Sequence, residues 1–141
     1  MKTFLENNKS IGILALRLSI GCAFAFIYGL MKVQGGPELW TMIGGTMSNV
    51  GITFAPTFWG FMATMAEFAG GILIILGLFT RITSVFMGFT MIMATITHLI
   101  AKDPWYTVMN PVHMLAVFIC FIFIGAGKYS LDYLISKRKS G

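Results

Sequence analysis

Glu67 lies in the middle of an apolar run, Phe58 to Phe79, that is long enough to cross a bilayer, and no other residue in that run is charged. A carboxyl group at such depth is costly unless it is paired, protonated or wetted, so an intramembrane glutamate marks a functional site. Three other ionisable residues, Arg17, His98 and His113, sit in the remaining apolar runs. Glutamate and histidine are suited to giving and taking protons from a bound molecule. Each has a plainer alternative. A protonated Glu67 can hydrogen-bond a neighbouring helix and serve structure alone. Arg17 can snorkel to the headgroups, and shallow histidines can sit at the interface.

The elements that must position these groups follow from composition. The chain has 141 residues, 57% of them hydrophobic and only 11% charged. Its mean hydropathy is +0.82. A soluble domain carries roughly 25% charged residues, so the expected class is an all-α integral membrane protein, with one domain over residues 1–141. Four spans can be drawn, at about 11–31, 58–79, 82–101 and 111–126. The first three reach the ~20 residues that a helix needs to cross the hydrocarbon core. Asn110 and Pro111 suit the cap and first position of the fourth helix. Seven cations (Lys2, Lys9, Arg81, Lys128, Lys137, Arg138 and Lys139) flank the spans on one side, against Lys32 and Lys102 on the other. By the positive-inside rule, both termini are expected in the cytoplasm. The net charge of +5 is distributed as membrane flanks rather than as a nucleic-acid face. The first span is too long for a cleaved signal sequence, and Met31-Lys32-Val33 lacks a small-residue cleavage pattern.

Membrane helices meet through small residues. In span one, Gly21, Ala25 and Gly29 recur every four residues behind Arg17, and in span two Ala63, Glu67 and Gly71 do the same. Gly88, Met91, Thr95 and His98 share a face of span three, and His113, Ala116, Cys120, Phe123 and Gly127 a face of span four. One such face per helix predicts a four-helix bundle with a single internal cavity. At about 1.5 Å per residue, Glu67 lies roughly 13 Å below the outer end of its span, with Tyr28, Lys32, His98 and His113 nearer the outer surface. These five can line one outward-facing pocket. Arg17 lies towards the inner end of its span and meets Glu67 only if the helices are offset or water bridges them.

The loop Val33–Thr57 contains a Pro37-Glu38 helix start and apolar Leu39, Trp40, Met42, Ile43 and Met47. It predicts a short outer interfacial helix over about Pro37–Asn49, which either lids the pocket or anchors at the surface. The tail from Ser130 is amphipathic and ends in Lys137-Arg138-Lys139, as expected of a helix on anionic lipid. Cys22 and Cys120 form no CxxC pair, and the histidines have no metal-ligand spacing and no C-x-x-C-H haem motif, so no metal or haem is expected.

Taken in order, Leu16-Arg17-Leu18 with Gly21, Gly29-Leu30-Met31-Lys32, Glu67 with Gly70-Gly71, Leu76-Gly77-Leu78-Phe79-Thr80-Arg81, His98, and Gly125-Ala126-Gly127-Lys128-Tyr129-Ser130-Leu131-Asp132 resemble the DoxX family of small bacterial membrane proteins. Lys128 stands where that family more usually has arginine. The resemblance covers nearly the whole chain. It implies a four-helix membrane bundle linked to redox metabolism, whose relatives include a subunit of a thiosulfate:quinone oxidoreductase and a membrane partner in an oxidative-stress complex. Fold transfers more safely than activity across such a family.

The expected function is therefore that of a small subunit of an oxidoreductase system in the bacterial inner membrane, multi-pass and working with a redox partner protein. It would bind a quinone or similar amphipathic redox molecule. Glu67 and His98 would carry the acid–base chemistry, and Arg17, Tyr28, Lys32, Trp40, Trp105 and His113 would contact the bound molecule. Two alternatives stay open: a proton-coupled transporter or permeation subunit, for which four helices would need to form a homo-oligomer, and a non-catalytic scaffold for soluble redox enzymes.

Overall fold

The computed structural model describes residues 2–139, with side chains from 7 to 138, and among them the secondary structure is entirely helical. The first rod is continuous but not uniform. Helix α1 (Lys2–Cys22) runs into a π-helical stretch (Ala23–Gly29) and then α2 (Leu30–Gln34). The outer segment folds as α3 (Gly36–Gly45) and a 3-10 turn (Thr46–Val50), with Pro37 in the first turn of α3 as expected. Then come α4 (Pro56–Leu76), α5 (Thr80–Ile100), α6 (Trp105–Ile124) and the tail helix α7 (Leu131–Lys139). Four segments are long and apolar enough to cross a membrane: Asn7–Gln34, Pro56–Leu76, Thr80–Ile100 and Trp105–Ile124. We call the end of the bundle that holds α7 the terminal end and the opposite one the loop end.

Where helices stop is written locally. Gly77 takes the left-handed conformation, with φ of 64°. The N–H groups of Gly77 and Leu78 bond the carbonyls of Ile74 and Leu73, a Schellman closure of α4. Phe79 and Thr80 donate their N–H groups to the two carboxylate oxygens of Asp132, at 2.8 and 3.0 Å, so a residue of α7 caps the start of α5. The tail is thereby tied to the α4–α5 turn, while Leu131, Leu134 and Ile135 remain exposed, as an interfacial helix requires.

The fourth span corrects one expectation. Asn110 is not its cap and Pro111 is not its first residue: α6 begins at Trp105 behind Pro104, and Pro111 sits inside it. A proline six residues past the start of a helix removes one hydrogen bond, and packing within a membrane bundle tolerates that loss. Pro111 is buried, consistent with such support.

Phe24, Ile74, Met87, Met91, Phe118 and Phe121, drawn from all four spans, form the central core. Span one meets α4 along the anticipated stripe, because a methyl on Gly21, Gly29 or Gly71 would run into the backbone of the other helix. Spacing by four residues drifts about 40° per step on an α-helix. The wider π turn at Ala23–Gly29 counters that drift and keeps Gly29 against Phe68. The expected face of span four is overturned. His113, Ala116, Cys120 and Phe123 are exposed on the outside of the bundle, and α6 packs through Leu115 and Phe118 instead. Here α5 supplies the small residue, Gly88, and α6 supplies the large ones that fill the space above it.

Candidate functional site

The π stretch determines where Lys32 points. It sets α2 against the middle of α4, and the Lys32 ammonium reaches both carboxylate oxygens of Glu67 at 2.6 Å. The Glu67 side chain is 5% exposed and the Lys32 side chain 22%. The offset needed for this pairing comes from what lies above α2. The chain continues along α4 as α3, antiparallel to it, with Trp40 over Gly60 and Gly44 over Pro56. A methyl on either glycine would overlap a carbonyl of the facing segment, so α3 and the first two turns of α4 touch backbone to backbone. The Trp40 indole donates to the Lys32 carbonyl at 2.9 Å, and its ring meets Phe61 edge-on. Trp40 thus braces Lys32 from behind.

Glu67 and Lys32 lie on the wall of a cavity of about 890 Å³ between α4 and α5. Ile43, Gly44, Thr46 and Met47 close it at the loop end, and it descends to Leu73 and Thr83. Phe58, Met62, Val85, Phe86 and Phe89 line it and are themselves exposed on the outside of the bundle. The cavity therefore opens sideways between the two helices, towards lipid.

His98 lines the same cavity near the loop end. Its Nδ1 lies 2.7 Å from Asp103 Oδ2. Such a carboxylate fixes the ring orientation and leaves Nε2 as the other working nitrogen. Asp103 escaped the sequence reading. The one available signal was its position five residues after His98, just past the end of α5, where Lys102 turns left-handed with φ of 56° and folds the chain back. Trp59 also lines the cavity, and its indole N–H is buried without a partner.

Three of the eight anticipated residues, Lys32, Glu67 and His98, come together here. Trp40 supports them. Tyr28 is half exposed and packs on Phe24, Trp105 is 72% exposed, and His113 faces outward, so none of these three lines the cavity.

Arg17 lies at the other end of the bundle. It is 1% exposed and donates to four backbone carbonyls: Ile74 at 2.9 Å, Ile75 at 2.8 Å, Ala126 at 2.7 Å and Tyr129 at 2.8 Å. The first two are carbonyls of the last turn of α4, which lack the N–H partner four residues on that a helix interior supplies. The guanidinium fork ties them to the segment after α6. Arg17 neither meets Glu67 nor snorkels; it is a structural clasp. Among the described residues, no group of three His, Cys, Asp or Glu side chains is placed to hold a metal ion.

The family model described as DoxX matches residues 12–99. The chain is also similar to a protein of Bacillus subtilis (strain 168) named "Putative oxidoreductase CatD", with 39% identity over 92 residues, which cover 64% of this chain and 63% of that protein. The match thus spans less than two thirds of the relative's length. No solved structure matches.

Proposed function

The chain belongs to the DoxX family and is a multi-pass membrane protein; from that premise we propose that it has an oxidoreductase-related role, as the quinone-binding membrane subunit of an oxidoreductase system. The observation that carries this reading is the bidentate Lys32–Glu67 pair on the wall of a largely apolar cavity open to lipid. A quinone needs an apolar slot for its tail and polar groups for its carbonyl oxygens. The lining fits: Phe, Met, Leu and Ala side chains supply the slot, and charged or polar groups appear at mid-depth and near the loop end. Lysine has three N–H donors, and Glu67 takes two, so the third is available to a carbonyl oxygen in the cavity. The unpartnered Trp59 N–H is a second donor in the same wall.

The bound molecule would accept or release electrons together with protons. Glu67 would hold the proton at mid-depth, and His98, oriented by Asp103, would pass it between the cavity and the loop-end surface. The lateral opening supports loading from the bilayer, where an amphipathic quinone is dissolved. Electrons would pass to or from a protein partner. We place the protein in the bacterial inner membrane with both termini cytoplasmic, following its cation asymmetry.

Photo-crosslinking tests the reading. A photoreactive quinone analogue in membranes should label peptides of α4 and α5 around Glu67 and Phe89, and unlabelled quinone should compete. Labelling confined to other helices, or no competition, would overturn it.

A further inference from the structure

The outward face of α6 carries polar groups where lipid offers them nothing to bond. Asn110 and His113 are both exposed on the outside of the bundle. Neither side chain has a hydrogen-bond or ion-pair partner among the described residues. Asn110 has no capping duty, because α6 already starts at Trp105 behind Pro104. Depth makes the arrangement costly. The helix Trp105–Ile124 is the fourth span, and the exposed Trp105 and Tyr106 mark its interface at the loop end. At about 1.5 Å per residue, His113 lies roughly 12 Å further in, near the middle of a hydrocarbon core ~30 Å thick. An imidazole is too short to reach the headgroups from there. Ionisable side chains at such depth face a bundle interior, a wet cavity or another polar group. His113 points away from its own bundle and does not line the α4–α5 cavity, so its partner comes from a second chain.

The rest of the face narrows the choice of chain. Tyr106, His113 and Cys120 recur every seven residues, and all three are exposed. That spacing keeps one line of a helix against a parallel neighbour. Ala116, between His113 and Cys120, is exposed and small, so a facing helix can come close. Two copies of this chain inserted the same way bring His113 to His113 at one depth. A neutral imidazole has one donor and one acceptor, so it complements its own copy, and the Asn110 amide does likewise. We propose that the chain pairs with a second copy of itself across a two-fold axis beside α6, with His113 at the centre of the contact and Cys120 facing Cys120. None of these residues lines the α4–α5 cavity, so the surface is separate from that site.

Cys120 reads the contact directly. In membranes holding the full chain, copper phenanthroline should join a Cys22→Ser variant into a disulfide-linked dimer through Cys120. A Cys120→Ser variant, whose remaining thiol Cys22 is also exposed, should stay unlinked. Single-molecule photobleaching of labelled protein in liposomes, over a range of protein-to-lipid ratios, gives the pairing equilibrium. Loss of the interhelical hydrogen bond in His113→Leu should weaken pairing about three- to tenfold, and His113→Gln, which keeps a donor and an acceptor, should restore most of it. Ala116→Phe should abolish pairing by holding the helices apart. Both positions are exposed, so the melting temperature of the monomer in detergent should not change. A wild type that stays monomeric at every ratio would overturn the proposal. So would cross-linking through Cys22 as efficient as through Cys120, or unchanged pairing in either His113→Leu or Ala116→Phe. Cys120 joined to a different protein in place of its own copy would overturn the second-copy assignment in favour of an unlike partner helix.

Discussion

The Lys32 ammonium and the Glu67 carboxylate hold each other in an apolar wall, and this pairing makes either one costly to remove alone. Truncating one member of a buried pair costs about 3–5 kcal/mol, because the other charge is left without a partner. Lys32→Met should therefore lower thermal stability markedly, whereas Lys32→Met combined with Glu67→Leu should recover most of the loss without recovering activity. A double variant as unstable as the single one would mean that the pair is not the source of the cost. Glu67→Gln asks a different question. Glutamine keeps the shape and can still accept a hydrogen bond from Lys32, but it cannot carry a proton. The bundle should stay folded while quinone-linked turnover in membranes is lost, and full activity in that variant would remove Glu67 from the mechanism. The inward placement of Glu67 was legible from its stripe with Ala63 and Gly71, and the residue is buried. Its partner was not, because Lys32 reads as a shallower pocket residue near the outer surface until the π stretch and the continuation of the chain along α4 draw it inward. Arg17 shows the converse. A charged residue in a span invites a functional reading, yet its four carbonyl partners lie 57 to 112 residues away in sequence. Sequence spacing carries no trace of such an arrangement. Arg17→Lys should destabilise the bundle, since one ammonium cannot span four carbonyls, and should leave quinone affinity unchanged in whatever fraction stays folded.

At the scale of elements, adjacent glycines in α3 make the packing argument testable. A methyl on Gly44 would overlap the Pro56 carbonyl, whereas a methyl on Gly45 would meet nothing. Gly44→Ala should push α3 off α4 at a cost of about 1–3 kcal/mol or more, and should weaken ligand binding by displacing Ile43 and Met47 from the cavity wall. Gly45→Ala should be neutral or should stabilise by up to ~1 kcal/mol through helix propensity. The melting temperatures of the two variants decide it; equal shifts would mean that α3 is not docked as described. The same crossing makes α3 a fixed wall. Small residues predicted well where both helices supply them, as at Gly21, Gly29 and Gly71. They misled at α6, where Ala116 and Cys120 face outward and Gly88 of α5 provides the close approach instead. A single sequence shows that a small residue permits contact but not which partner uses it. The start of α6 differs from the expectation for a local reason: Pro111 suits a helix start, but the chain already turns into helix behind Pro104, whose carbonyl accepts from the Thr107 and Val108 N–H groups. The family-like motifs Leu76–Arg81 and Gly125–Asp132 meet each other at Arg17 and Asp132, so their residues preserve the joint at the terminal end rather than the chemistry of the α4–α5 cavity.

The proposed orientation of the whole molecule rests on charge and can be tested at sites that the packing leaves free. Seven cations flank the spans at the terminal end, counting those of both tails, and two at the loop end. In the orientation proposed from the positive-inside rule, α3 and His98 lie on the outer side and α7 on the inner. Gly45 is a suitable reporter, because it is exposed and a side chain built there meets no atom. Lys137 on α7 is exposed as well. Cys22 and Cys120 face outward from the bundle and pack into no core, so serine at both positions should give a folded background without thiols. In that background, a membrane-impermeant maleimide applied to intact cells should label Gly45→Cys and spare Lys137→Cys until the membrane is opened. The reverse pattern would invert the orientation and turn His98 and Asp103 towards the cytoplasm, so that the proposed proton exchange would run on that side. Labelling of both sites from one side would break the four-span arrangement itself, because the three crossings between α3 and α7 are what place the two on opposite surfaces.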